Sequence, residues 1–311
     1  MKIKVIVFTA WLQILGLEGC SENREPPTAT QSGYMQVDDG LLFFQKFGFG
    51  EPIIVLHGGP GLNQSYLLPQ MLELAKDHEM IFYDQRGSGK SLNTEINPDY
   101  INIERFTEDL EQLRLSLGLK KFILIGHSWG CKLAINYAAK HPDAVSKLIL
   151  LNPASADDKG KSVFYEKLSE KIAAIKNSLQ PLSKYDDFEK LNDEEIHKLY
   201  KTLFSLYFYD AKNIKFLTLK TDKISEQSGF KCREILDSES INLFPALKSL
   251  KIPTLVIHGN QDITPKQTVQ EIKEAIPNAQ IAYLEQCGHF SYIEHPQEVF
   301  SAIRQFLKDA D

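Results

Sequence analysis

The chain has 311 residues, a net charge of −6, 43% apolar and 24% charged residues. Those proportions match an ordinary globular protein and exclude a disordered chain, a collagen-like repeat and a polytopic membrane protein. With 41 acidic against 35 basic residues and no Lys/Arg-rich block, a nucleic-acid role has no electrostatic support, and no nucleic-acid partner is expected.

Residues 1–20 read MKIKVIVFTAWLQILGLEGC. Lys2 and Lys4 form a positive start and Val5 to Leu17 a short apolar run, too short to span a bilayer, which needs about 20 apolar residues. This is the pattern of a cleaved signal peptide. Leu17-Glu18-Gly19-Cys20 resembles a bacterial lipoprotein box, although Glu18 stands where a small or apolar residue is usual. Residues 1–19 are therefore expected to be a signal peptide, Cys20 the lipid-bearing residue and residues 20–32 a tether. The protein is then an exported lipoprotein of the bacterial envelope, touching membrane only through that lipid. A plain secretory signal with an incidental Cys is the alternative. The other three cysteines, Cys131, Cys232 and Cys287, lie in no CxxC or zinc-like spacing and are expected to be buried thiols.

From Tyr34 the chain alternates as strands do, turns at Asp38-Asp39-Gly40 and continues to Phe47, a β-hairpin. Apolar runs at 53–56, 80–83, 122–125 and 148–151 predict buried strands, and helical periodicity covers 106–117 and 129–140. Strands apolar on both faces and alternating with helices predict a parallel sheet covered on both sides. Residues 154–247 lack strong strand runs and contain amphipathic stretches at 164–179 and 193–208, so they predict an inserted helical unit. The strand–helix pattern resumes after Pro253, with strands at 254–258 and 281–284 and helices at 266–275 and 298–308. The α/β core is thus expected over 33–153 and 248–311.

Gly126-His127-Ser128-Trp129-Gly130 fits G-x-S-x-G. Its position between a strand and a helix is what a nucleophile elbow requires, because small flanking residues permit the tight turn that exposes the hydroxyl. A serine needs a base and an orienting acid. Asp262 follows the strand at 254–258 and His289 the strand at 281–284, so parallel strands would bring both to the sheet edge that carries Ser128. His57-Gly58-Gly59-Pro60-Gly61 follows the first parallel strand, and the amides of Gly59 and Trp129 are candidate oxyanion donors. This loop has neither the G-K-[ST] ending nor the GxGxxG spacing of phosphate loops. Asp84 and Arg86, in a Gly-rich loop, are expected to stabilise a turn through an internal ion pair. His57 and His127 are expected to orient loops rather than bind metal. The aromatics Phe204, Tyr207, Phe208 and Tyr209 either line a substrate pocket or form the insert's own core.

The set HGGPG, Asp84-Gln85-Arg86-Gly87-Ser88-Gly89, GHSWG, GNQD and CGH resembles the α/β-hydrolase superfamily and, more narrowly, the proline iminopeptidase family of serine peptidases. That resemblance implies an eight-stranded sheet, a helical cap, Ser128 as nucleophile, His289 as base and Asp262 as its orienter. It implies no metal and no organic cofactor. It also implies a small peptide substrate with N-terminal proline or another small residue, a small acyl ester or lactone being the alternative. Cap carboxylates hold the substrate amine in that family, one following a Trp and another in a Glu-Asn-His run. Neither pattern occurs here, and Glu226, Glu234 and Glu239 are the possible substitutes.

Overall fold

A computed structural model describes residues 28–92, 95–175, 191–220 and 222–308 and the backbone of residues 5–8. Its centre is one mixed sheet, built from β1 (Val5–Phe8), β2 (Gln31–Val37), β3 (Gly40–Phe47), β4 (Pro52–Leu56), β5 (Glu79–Tyr83), β6 (Phe122–His127), β7 (Val145–Leu151), β8 (Thr254–Gly259) and β9 (Gln280–Leu284). Spatially the order is β1-β2-β3-β5-β4-β6-β7-β8-β9. The pairs β1/β2, β2/β3 and β3/β5 are antiparallel, and every pair from β5/β4 onward is parallel. The eight strands β2–β9 form the expected α/β-hydrolase sheet, and β1 adds a short ninth at its edge. Cys20 and most of the expected signal and tether lie outside the described residues.

The period-2 alternation of strand side chains divides the core into two layers. Ile54 and Leu56 of β4 and Phe122 and Leu124 of β6 face one side. There they meet α1 (Ile103–Ser116), α2 (Gly130–Lys140), α6 (Phe244–Ser249) and α7 (Lys266–Ala275). Ile53, Val55, Ile123 and Ile125 face the other, under α9 (Pro296–Lys308) and the 3-10 segment Gln70–Lys76. α1 begins three residues before the expected 106, where the Asn102 side chain accepts from the Arg105 amide at 3.0 Å and satisfies one orphan donor of the first turn.

Between β7 and β8 the chain leaves the sheet. The insert comprises α3 (Asp158–Ile175), α4 (Asp193–Ser205), the 3-10 segment Ala211–Phe216 and α5 (Lys223–Ser238); part of the expected helix at 164–179 lies outside the described residues. α4 opens with a full capping box between Asn192 and Glu195. α6 already packs against α2 and α7.

The insert is held to the core by backbone contacts. Gly61, in the loop after β4, approaches Gly229 of α5 so closely that a Cβ on either would lie 2.2 Å from the other's carbonyl oxygen. At the opposite side, the His289 amide donates to the Tyr207 carbonyl at 2.7 Å. A Cβ at Gly288 would sit 2.3 Å from that same oxygen. The carboxylate of Glu294, on α8 (Ser291–Glu294), accepts from the amides of Gly288, Tyr209 and Asp210 and so ties the same two segments again.

Candidate active site

Ser128 lies between the end of β6 and the start of α2 with φ +56. That left-handed conformation is costly for a non-glycine residue, and the surroundings over-determine it. The Ser128 amide donates to the Leu151 carbonyl of β7 at 3.1 Å, while its carbonyl accepts from Cys131 and Ala154. The flanking glycines are required by packing: a Cβ at Gly126 would lie 2.6 Å from the Gly130 carbonyl oxygen, and one at Gly130 would lie 2.5 Å from that of Leu56. Gly58 is equally constrained, since a Cβ there would stand 2.7 Å from Ser128 Cβ. The G-x-S-x-G motif and the HGGPG loop are therefore packed against one another.

Asp262 and His289 are brought together as expected. His289 Nδ1 is 2.9 Å and 3.0 Å from the two Asp262 carboxylate oxygens. Burial alone would raise the Asp262 pKa; the charges of His289 and His258 and hydrogen bonds from His289 and Asn152 outweigh it and hold the group at about 2. An ionised Asp262 accepts from Nδ1–H, which leaves Nε2 of His289 with a free lone pair. The Asp262 carboxylate also receives the Thr264 amide at 2.9 Å and has His258 Nδ1 at 3.4 Å.

Asn152 completes this assembly and was not among the candidates read from the sequence. It follows β7 with φ +47, a conformation Asn tolerates better than most residues. Its Nδ2 donates to Asp262 Oδ2 at 2.9 Å and to the Gly288 carbonyl at 3.1 Å. Its Oδ1 accepts from the Ser291 hydroxyl at 2.5 Å.

His57 and His127 orient loops. The Gln85 amide donates to His57 Nε2 at 3.0 Å, which leaves Nδ1–H for the Gly58 carbonyl at 3.2 Å. The Gly58 amide donates to the Tyr66 hydroxyl at 2.6 Å, Tyr66 to His127 Nδ1 at 2.8 Å, and His127 Nε2 to the His289 carbonyl at 3.0 Å. This chain joins the HGGPG loop to the His289 loop through neutral imidazoles. Burial pushes His57 down to about 4; burial and the His289 imidazole push His127 down to about 3.

Arg86 forms an internal ion pair, but its partners are not Asp84. Its guanidinium meets Asp109 at 2.6 Å and Asp39 at 2.9 Å. Asp84 instead receives the amides of Gln64 and Lys90. Gln85, between Asp84 and Arg86, engages His57 through both its amide and its side chain.

Ser128, His289, Gly59 and Trp129 line one cavity of about 400 Å³ beneath the inserted helices. Among the described residues the Gly59 and Trp129 amides donate to no protein acceptor. Phe164, Leu168, Phe204, Tyr207 and Phe290 form an apolar wall, and Lys132, Arg233, Glu234 and Asp237 supply charge. The four aromatics divide: Phe204 and Tyr207 line the cavity, Phe208 is buried and stacks on Phe290 at 4.8 Å, and Tyr209 is exposed. Glu226 is buried but is not among the cavity-lining residues; it engages Tyr200 and Arg233. Glu234 lines the cavity from an exposed position on α5, and Glu239 follows the end of α5. Cys131, Cys232 and Cys287 are buried free thiols. Among the described residues no cluster of His, Cys, Asp and Glu could hold a metal ion.

A strand–elbow–helix bearing a serine, beside a His–Asp pair at the strand ends of a parallel sheet, has the geometry of an acyl-transfer site. The family model described as the alpha/beta hydrolase fold matches residues 51–296. The chain belongs to the α/β-hydrolase family. The AB hydrolase superfamily protein YisY of Bacillus subtilis is 32% identical to this hydrolase over 281 residues, 88% of this chain and 98% of the relative. A proline iminopeptidase of Heyndrickxia coagulans is 28% identical over 293 residues, 88% of this chain and 98% of that one. Among solved structures, the enol-lactonase from Burkholderia xenovorans LB400 superposes with a TM-score of 0.63 at 22% identity, covering 89% of this hydrolase and all of the other chain.

Proposed function

We propose that this hydrolase acts by acyl transfer through Ser128. His289 Nε2 takes the Ser128 proton and Oγ attacks the substrate carbonyl. The Gly59 and Trp129 amides receive the oxyanion, and His289 returns the proton to the leaving group. Water then releases the acyl group by the same steps in reverse order. The observation that carries this reading is the Ser128 elbow at φ +56 in the same cavity as His289, whose Nδ1 is held by Asp262.

The substrate in this reading is a short peptide with N-terminal proline or another small residue. Similarity to proline iminopeptidases over most of the chain supports it, as does a cavity sized for a few residues. A small carboxylic ester or lactone is the second reading. It is favoured by the aromatic wall and by the position of Glu226 away from the cavity lining. Rates on proline arylamide, acetyl-proline arylamide and a short acyl ester, with Ser128→Ala as control, separate the two. Turnover of the free-amine substrate alone supports the aminopeptidase; turnover of the ester alone keeps the acyl-transfer mechanism and rejects the peptide.

We also propose export and acylation at Cys20, supported by the basic start, the short apolar run and the LEGC segment. Processing there would remove β1.

A further inference from the structure

Three cations line the cavity, Lys132, Lys161 and Arg233, and the acyl-transfer steps use none of them. Lys132 stands on α2 four residues after Ser128, about one helical turn along, and lines the cavity with Ser128 and His289. It is 8% exposed. Among the described residues its ammonium makes no ion pair and no side-chain hydrogen bond. The neighbouring cations are engaged: Lys161 pairs with Asp158 at 2.8 Å and donates to the Asp237 and Glu239 carbonyls, and Arg233 meets Tyr200 and Glu226. Of the nearby carboxylates, Asp237 accepts from the Tyr165 hydroxyl. Burial, followed by the charge of Lys161, depresses the Lys132 pKa against the opposing pull of Asp237, Asp158 and Asp157. Among the described residues no carboxylate pairs with this ammonium directly, Asp237, Asp158, Asp157 and Glu239 acting on it only at longer range, and a buried ammonium so placed is unfavourable until an anion meets it. The apolar wall leaves the cavity interior as the place for that anion.

We propose that Lys132 binds a carboxylate of the substrate, so that this hydrolase acts on carboxylate-bearing acyl compounds. The carboxylate is either the free C-terminus of a short peptide or an acid group on the acyl side of an ester. The inference rests on the cavity being the acyl-transfer site proposed above, but its first test does not require turnover. Calorimetric titration of the full chain with 4-phenylbutyrate and its neutral isostere 4-phenylbutyramide is expected to show the acid binding at least ten-fold more tightly. Lys132→Met is expected to abolish that ratio and Lys132→Arg to retain it. Equal binding of acid and amide, binding of neither, or an unchanged ratio in Lys132→Met overturns the proposal. Absence of hydrolysis would overturn the catalytic reading and leave this result standing. Rates then locate the group. A preference for prolyl-phenylalanine over its amide puts it on the leaving side, and a preference for 4-nitrophenyl hemisuccinate over 4-nitrophenyl butyrate puts it on the acyl side. A preference that survives Lys132→Met overturns the assignment to this lysine.

Discussion

Asn152 and Asp262, 110 positions apart in the chain, meet at the sheet edge with the Asn152 amide nitrogen 2.9 Å from Oδ2. The same nitrogen reaches the Gly288 carbonyl, one residue before His289. One side chain therefore fixes both the acid and the loop that carries the base. A hydrogen bond to a charged group contributes about 1.5–3 kcal/mol, which corresponds to roughly ten- to hundred-fold in rate if fully expressed in the transition state. Asn152→Gly, which keeps the left-handed backbone, is expected to lower kcat by about that factor with little change in KM. Asn152→Asp, which sets a carboxylate against a carboxylate, is expected to be worse. A fall confined to KM would contradict this positioning role.

Ser128→Ala is expected to reduce kcat by a factor on the order of 10⁴ or more and to abolish labelling by a fluorophosphonate. Ser128→Gly is expected to be equally inactive yet more stable than wild type by about 1 kcal/mol, because glycine adopts the elbow's positive φ without strain. Thermal unfolding of the two variants checks the second point independently of activity.

Three buried groups, His57, His127 and Asp262, weaken the fold in acid, while Asp109, which burial raises to about 6, works against them between pH 6 and 4. His57 and His127 stay neutral in the fold down to about pH 4 and about pH 3, whereas in the unfolded chain they take up protons near the ordinary imidazole value of 6.5. The unfolded state therefore binds more protons below that value, and stability falls as pH drops from 6.5 toward 4 and 3. Asp262, held at about 2 against the ordinary carboxylate value of 3.8, contributes stability above about pH 4 that is lost on further acidification. Each unit of difference corresponds to about 1.4 kcal/mol. Denaturant midpoints measured from pH 8 to pH 4 should decline steadily below 6.5. His127→Gln should flatten that decline, and a profile unchanged by it would contradict the neutral His127.

Arg86 and Asp109 are both almost wholly buried and meet at 2.6 Å. Removing one member leaves an uncompensated charge, which costs about 3–5 kcal/mol. Arg86→Met alone should destabilise by about that amount, and adding Asp109→Leu should recover much of it. Urea unfolding of the single and double variants, read as a double-mutant cycle, tests the pairing.

Acylation at Cys20 predicts that cells expressing the full chain incorporate labelled palmitate into it, and that Cys20→Ser does not. Equal labelling of both would contradict that assignment.

The sequence was most legible where chemistry depends on local backbone shape. The Ser128 elbow needs small residues at Gly126 and Gly130, and the apolar strand before and helix after it are visible in the same dozen residues. Asp262 and His289 were legible because each closes a strand of one parallel sheet. What stayed hidden depends on contacts between distant segments. Asn152 reads as an ordinary residue after a strand until the loops bearing Asp262 and Gly288 fold over it. Asp84 and Arg86 suggest a pair by adjacency, but Arg86 reaches Asp39 and Asp109, 47 and 23 residues away. Lys132 falls on a recognisable helix, yet its burial within the cavity emerges only with the insert in position. Glu226 reads as one of three possible amine ligands, and its engagement with Tyr200 and Arg233 is visible only in the fold.

The contacts of Gly61 with Gly229 and of Gly288 with the Tyr207 carbonyl join the insert to both the oxyanion loop and the His289 loop. Shifting the insert's backbone at either point displaces a reacting group. New substrate preferences, whether arising by natural drift or by engineering, are thus confined to exchanges of side chain in the cavity lining, along α3, α4 and α5 and at Lys132, Tyr207 and Phe290. The roof behaves as a fixed mould whose lining can be recast while its frame cannot be moved.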